Sequence, residues 1–182
     1  NEILSHLWEQ YRLDSIRGQW DYIDPVLFGY AAGQVIESFI KWNIESDENI
    51  VAHFHEWMTG SGVLYLKENC PQIATAFTTH ATYLGRAISG NGLALYNDLT
   101  TFEPNTMAAR FNITSQQSME YNAAQNADAF TTVSEVTAEE CKQFLHREAD
   151  VITINGINDS YILDEKTAAE KRSASRTKIL SI

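Results

Sequence analysis

The sequence predicts a mainly α-helical fold: a compact domain of seven to nine helices, a short β-hairpin near residues 151–163, and a C-terminal arm. Three observations predict it. Breakers are scarce, with three prolines and nine glycines in 182 residues, so helices can be long and an all-β fold with many tight turns is disfavoured. Apolar side chains recur every three or four residues through much of the chain, most regularly at Ile73, Phe77, Ala81, Leu84 and Ile88 within Pro71–Tyr96. Only around Asn155-Gly156 does β-branched alternation flank a dipeptide suited to a hairpin turn. The expected organisation is a helical domain over 1–163, hairpin included, followed by a basic helix or arm over 164–182.

Residues 2–17 carry Ile3, Leu4, Leu7, Trp8, Tyr11 and Ile16 on one helical stripe, and Gly18 ends it. Asp24-Pro25 reads as N-cap and first helical residue of a strongly apolar helix over 25–44. Within it Gly29 and Gly33, beside Ala32, allow a second helix to approach closely. Ser46 with Asn49 opens the next predicted helix, whose stripe is Ile50, Phe54, Trp57 and Met58. Thr59-Gly60-Ser61-Gly62 closes it, and Val63–Leu66 reads as helix despite its strand-like composition.

The central helix is predicted over 71–89, with Pro71 in its first turn and Gly90 and Gly92 at its stop. A short helix follows over Leu93–Leu99, and Pro104 opens a turn of helix through Ala109. Thr114 caps a helix of about 114–130. Gln, Asn and Ala dominate it, and only Met119, Tyr121 and Phe130 are large and apolar, so it is expected to pack lightly or against a partner. Thr137 caps the last strong helix, with Glu139 and Glu140 at its start and His146 and Arg147 at its end, as the helix dipole favours. Three of the four tryptophans, Trp8, Trp42 and Trp57, fall in the first three helices and are expected to hold them together.

Charge is uneven. The net charge is −11, but residues 164–182 carry five basic against three acidic side chains, leaving 8 basic and 21 acidic in the rest. The acidic body disfavours nucleic-acid binding and allows a basic protein partner. An arm ending in Ile179, Leu180 and Ile182 is a candidate interface for docking on a neighbouring subunit. Cys70 and Cys141 make no disulfide framework or zinc spacing, which favours reduced thiols in an intracellular setting. No apolar run approaches the ~20 residues of a membrane span.

Candidate chemistry is sparse. His53-Phe54-His55-Glu56 is the one local cluster of metal-ligand types, but on a helix His53 and His55 stand about 200° apart and cannot share an ion. His80 lies in the apolar stripe of the central helix without a nucleophile frame, and Arg86, six residues on, serves another face. Gly85-Arg86 with Ser89–Gly92 lacks the strand, lysine and spacing of a phosphate loop. Arg86 and Arg110, the two basic residues between Lys67 and Lys142, are candidate anion or phosphate contacts.

Without a catalytic frame, and with plentiful aromatics, the leading reading is a non-enzymatic interaction subunit. It would be homo-oligomeric, of a coat-like or nucleoprotein-like kind, and need no cofactor. The alternatives are a hydrolase using His80, or His53 and His55 with a metal, and an acidic immunity-type or decoy protein that binds a basic partner.

Overall fold

Val51–His55 turns Ala52 and Phe54 inward and leaves Val51, His53 and His55 exposed. That is the two-residue period of a strand. It is the first of four strands among the described residues, and they overturn the mainly α expectation: the fold is α/β. The computed structural model describes residues 2–44, 48–158, 162 and 164–181. Along the chain run α1 (Glu2–Tyr11), α2 (Trp20–Asn43), β1 (Val51–His55), α3 (Gly60–Asn69), β2 (Ala74–Thr79), α4 (Tyr83–Gly90), α5 (Pro104–Arg110), α6 (Thr114–Asn126), β3 (Ala129–Thr132), α7 (Glu135–Leu145), β4 (Val151–Ile152) and α8 (Glu165–Leu180). The strands lie in the order β1-β2-β3-β4, and every pair is parallel.

Helical crossovers are what allow parallel neighbours, and they bury the sheet residues that face them. Phe54, Phe77 and Phe130 stand side by side in register. They pack against Val63 and Leu66 of α3, Ala123 and Ala124 of α6, and Cys141 and Leu145 of α7. The Phe77 and Phe130 rings stack with centroids 6.1 Å apart. Leu4, Leu7, Leu13, Tyr22, Val26, Trp57, Leu64 and Met119 form a second cluster under α1 and α2.

Three sequence expectations are corrected here. The central helix 71–89 is a strand, Ala74–Thr79, then a loop and the eight-residue α4. The predicted helix around His53 is β1, and its proposed cap Ser46 lies outside the described residues. The hairpin is absent among the described residues: Val151–Ile152 pairs in parallel with β3, and residues 153–158 form no strand. A two-residue strand beside an existing parallel edge is paired by β3 and needs no second strand across a turn. The other half of that expectation falls on Asp159, Ser160, Tyr161 and Leu163, outside the described residues.

Two packing expectations also change. α6 is an interior helix, with Gln116, Gln117, Met119, Glu120, Ala123 and Ala124 all buried. Its alanines admit α3 so closely that a Cβ at Gly60 would stand 2.8 Å from Ala123 Cβ. α2 begins at Trp20, five residues before Pro25, and is apolar on both sides. Gly29 and Gly33 face Ser61 and Tyr65 of α3, whereas Trp20, Phe28, Val35, Phe39 and Trp42 are exposed. Of the four tryptophans only Trp57 is buried, stacked on Tyr22 with centroids 6.0 Å apart. None of the described helices is long and apolar enough to cross a membrane.

Candidate active site

In open parallel sheets, ligands bind beyond the carboxyl ends of the strands. Here the ends of β1 and β2 deliver His55, Glu56, His80 and, one turn into α4, Arg86. Thr82 sets the start of α4, its hydroxyl accepting the Gly85 amide at 3.0 Å. Two apolar-flanked strands therefore aim a polar quartet at one spot.

Glu56 holds the quartet together. Its backbone amide donates to Thr78 O at 2.9 Å, and its carboxylate Oε1 accepts the His80 amide at 2.9 Å. The Arg86 guanidinium stands 3.6 Å from the same oxygen. Glu56 adopts φ 65°, ψ 160°, a region nearly reserved for glycine. Such a backbone costs ~1–3 kcal/mol and persists where surrounding structure over-determines it, commonly at functional sites.

His53 and His55 share one face of β1, with ring centroids 4.2 Å apart. His55 Nδ1 lies 3.1 Å from His80 Nε2, and His53 Nε2 lies 2.7 Å from Thr78 Oγ1, which is itself 2.6 Å from Thr131 Oγ1. Partial burial, with His53 and His80 as like neighbours, pulls the His55 imidazole below its ordinary value, against the opposing pull of Glu56. His55 is therefore neutral at pH 7, with Nδ1 engaged by His80 and Nε2 left to donate or accept according to the tautomer.

The helical geometry that separated His53 from His55 does not apply, because they lie on a strand. The same change moves His80 from a helix face to the β2–α4 loop, beside His55. Arg86 belongs to this group. Arg110 does not: it ends α5, exposed, with its guanidinium 5.7 Å over the Phe111 ring. Ile179 and Leu180 are exposed at the end of α8, a helix with no buried residue, and Ile182 lies outside the described residues. Among the described residues no group of three or more His, Cys, Asp or Glu is arranged to hold a metal ion. Cys70 and Cys141 are buried free thiols. Sequence reasoning passed over Glu56 as an anchor, and also Thr78. The run Thr78-Thr79-His80-Ala81-Thr82 was the available signal, β-branched residues breaking into polar ones where a strand ends.

A glycogen synthase family model matches residues 1–166. The chain belongs to the glycogen synthase family. The glycogen [starch] synthase of Caenorhabditis elegans is 38% identical over 158 residues, which is 87% of this chain and 24% of that protein. Isoform 2 of the Saccharomyces cerevisiae enzyme is 36% identical over 159 residues, 87% of this chain and 22% of that one. The Dictyostelium discoideum enzyme is 35% identical over 145 residues, 80% and 16% respectively. The chain thus spans about a quarter or less of the relatives it matches. The glycogen synthase match ends two residues into α8.

Family membership overturns the reading as a non-enzymatic, coat-like or nucleoprotein-like assembly subunit, and with it the acidic decoy. It also replaces the hydrolase alternative, although the histidines that reading singled out are the ones gathered at the strand ends. The lack of a nucleophile frame in the sequence does not argue against an enzyme, because glycosyl transfer needs no such frame.

Proposed function

We propose that this chain supplies one wall of the active site of a glycosyltransferase that builds a glucose polymer. The carrying observation is that His55, Glu56, His80 and Arg86 converge at the carboxyl ends of β1 and β2 in a chain whose relatives are named glycogen [starch] synthases. Making such a polymer forms a bond between an anomeric carbon and an acceptor hydroxyl. It breaks the bond from that carbon to a leaving group, which departs as an anion, while the acceptor proton goes to a base or to the leaving group.

The quartet suits the donor side of that reaction. Neutral His55 keeps its Nε2, and His80 its Nδ1, for sugar hydroxyls, because the other nitrogen of each ring faces its partner. Arg86 supplies the cation for the leaving group. Its side chain is 59% exposed, and its contact with Glu56 is long, so most of its N–H groups remain free. Three first-turn amides of α4 are already engaged: Tyr83 donates to Glu120, Gly85 to the Thr82 hydroxyl and Arg86 to Thr82 O.

The test is transfer of labelled glucose from an activated donor into glycogen by the full-length polypeptide carrying this chain. Transfer that drops in His55→Ala and Arg86→Ala supports the reading. No transfer, or variants equal to the parent, overturns it.

A further inference from the structure

Glu120 and Glu140 are fully or almost fully buried, and neither forms an ion pair among the described residues. A buried carboxyl without a counter-ion is costly unless hydrogen bonds replace its water. Both place hydrogen bonds on one short segment, residues 79–83. Glu120, on α6, accepts the Tyr83 amide at 2.9 Å and the Thr79 hydroxyl at 3.4 Å. Glu140, on α7, accepts the Thr82 hydroxyl at 2.6 Å and the Tyr96 hydroxyl at 2.9 Å. Thr82 Oγ1 already accepts the Gly85 amide, so its single proton must go to Glu140. Gly85 leaves the room: a Cβ there would collide with Glu140 Oε2 and stand 2.6 Å from Thr82 Oγ1.

Glu56 grips the other end of the same segment through the His80 amide. Three carboxyl groups on three elements thus fix residues 79–83, and two of them touch nothing that reacts.

We propose that Glu120 and Glu140 are positioning residues, which fix from beneath the β2–α4 loop where His80 and Arg86 stand. Their consequence for turnover rests on the transferase reading; their effect on the loop does not. Burial first, then the neighbouring Glu56, pushes the Glu120 carboxyl up to about 8, against the Tyr83 amide, the Thr79 hydroxyl and Arg86. Glu120 therefore keeps its proton near pH 7, which spares the site a buried negative charge.

Nuclear magnetic resonance on this chain reads the loop directly, through the Tyr83 amide and the His80 ring. Glu120→Leu removes the acceptor at similar volume and shifts both signals while the β3 and β4 amides stay in place. Glu120→Gln keeps a carbonyl oxygen for Tyr83 and returns both signals to their places. If Glu120→Leu does not fold, the unmodified chain serves: the Tyr83 amide shifts with a midpoint near pH 8 as Glu120 ionises. Signals that ignore Glu120→Leu, or stay fixed across that midpoint, overturn the proposal, as does Glu120→Gln behaving like Glu120→Leu.

In the full-length polypeptide, Glu120→Leu lowers turnover about tenfold or more, since small misplacements of reacting groups are that costly, and Glu120→Gln stays close to the parent. A parent without transferase activity contradicts the reaction assigned above and leaves the resonance result to decide the positioning role.

Discussion

Glu56 and His80 are joined across the ends of two parallel strands by a 2.9 Å hydrogen bond from the His80 amide to the Glu56 carboxylate, and Glu56 holds a glycine-like backbone to make it. Strain and anchor can be separated. Glu56→Gly releases ~1–3 kcal/mol of backbone strain and forfeits a charge-assisted hydrogen bond of ~1.5–3 kcal/mol. Urea unfolding of the chain should therefore show a net stability change no larger than about 2 kcal/mol, while the His80 resonances move. A loss far greater than this would show that Glu56 serves the fold more than the site.

Buried Glu120 makes stability depend on pH. Its carboxyl titrates near 8 in the folded chain and near the ordinary value of 4.5 unfolded. Between those values the unfolded chain has released a proton that the folded chain keeps, so stability falls as pH rises through the window. The neighbours that share this field are Glu56, Arg86, Glu140 and Cys141, whose own thiol is pushed up by burial and by Glu120. The unfolding free energy from urea titrations should drop between pH 5 and pH 8, by an amount on the order of a few kcal/mol. Glu120→Gln should flatten that drop, and an unchanged slope in the variant would show that Glu120 is not its source.

Two glycine substitutions should act with opposite sign. A Cβ at Gly29 would press on Ser61 Oγ and lie 3.1 Å from the Thr59 backbone, against the hydroxyl that donates to Val26 O. Gly29→Ala should cost ~1–3 kcal/mol even though alanine is the better helix former. At Gly90, the last residue of α4, nothing lies within 4 Å, and Gly90→Ala should gain ~0.4–1 kcal/mol. Paired thermal or urea midpoints decide both.

His55 should titrate below the ordinary histidine range. His53→Ala or His80→Ala removes a like neighbour and should move the His55 midpoint upward in a resonance titration, leaving burial and the other histidine as downward influences. No upward movement in either variant would mean that the ring contacts are not electrostatically coupled.

Why the sheet was missed in the sequence is physical. Ile73 with Phe77, and Ile50 with Phe54, are spaced by four, an interval that fits one helix face and also two full strand periods. The deciding signals were weaker ones: Thr75, Thr78 and Thr79 in β2, and the polar histidines alternating with Ala52 and Phe54 in β1. α6 misled in the other direction. Its low apolar content reads as a surface helix, yet small Ala123 and Ala124 are what let α3 and the sheet close on it, and Glu120 is buried by bonding to a loop that sequence spacing cannot foretell. Arg86 was legible, as a cation in an acidic chain. The partners that give it a setting come from β1 and the β2–α4 loop, and only the fold brings them together.

The most direct test of the account is transfer of labelled glucose from an activated donor into glycogen by the full-length polypeptide, measured beside Arg86→Ala and His55→Ala at saturating acceptor. The account predicts transfer by the parent, a donor KM raised about tenfold or more in Arg86→Ala, and kcat/KM lowered about a hundredfold in His55→Ala. A parent that transfers no glucose, or variants that match it, would contradict it.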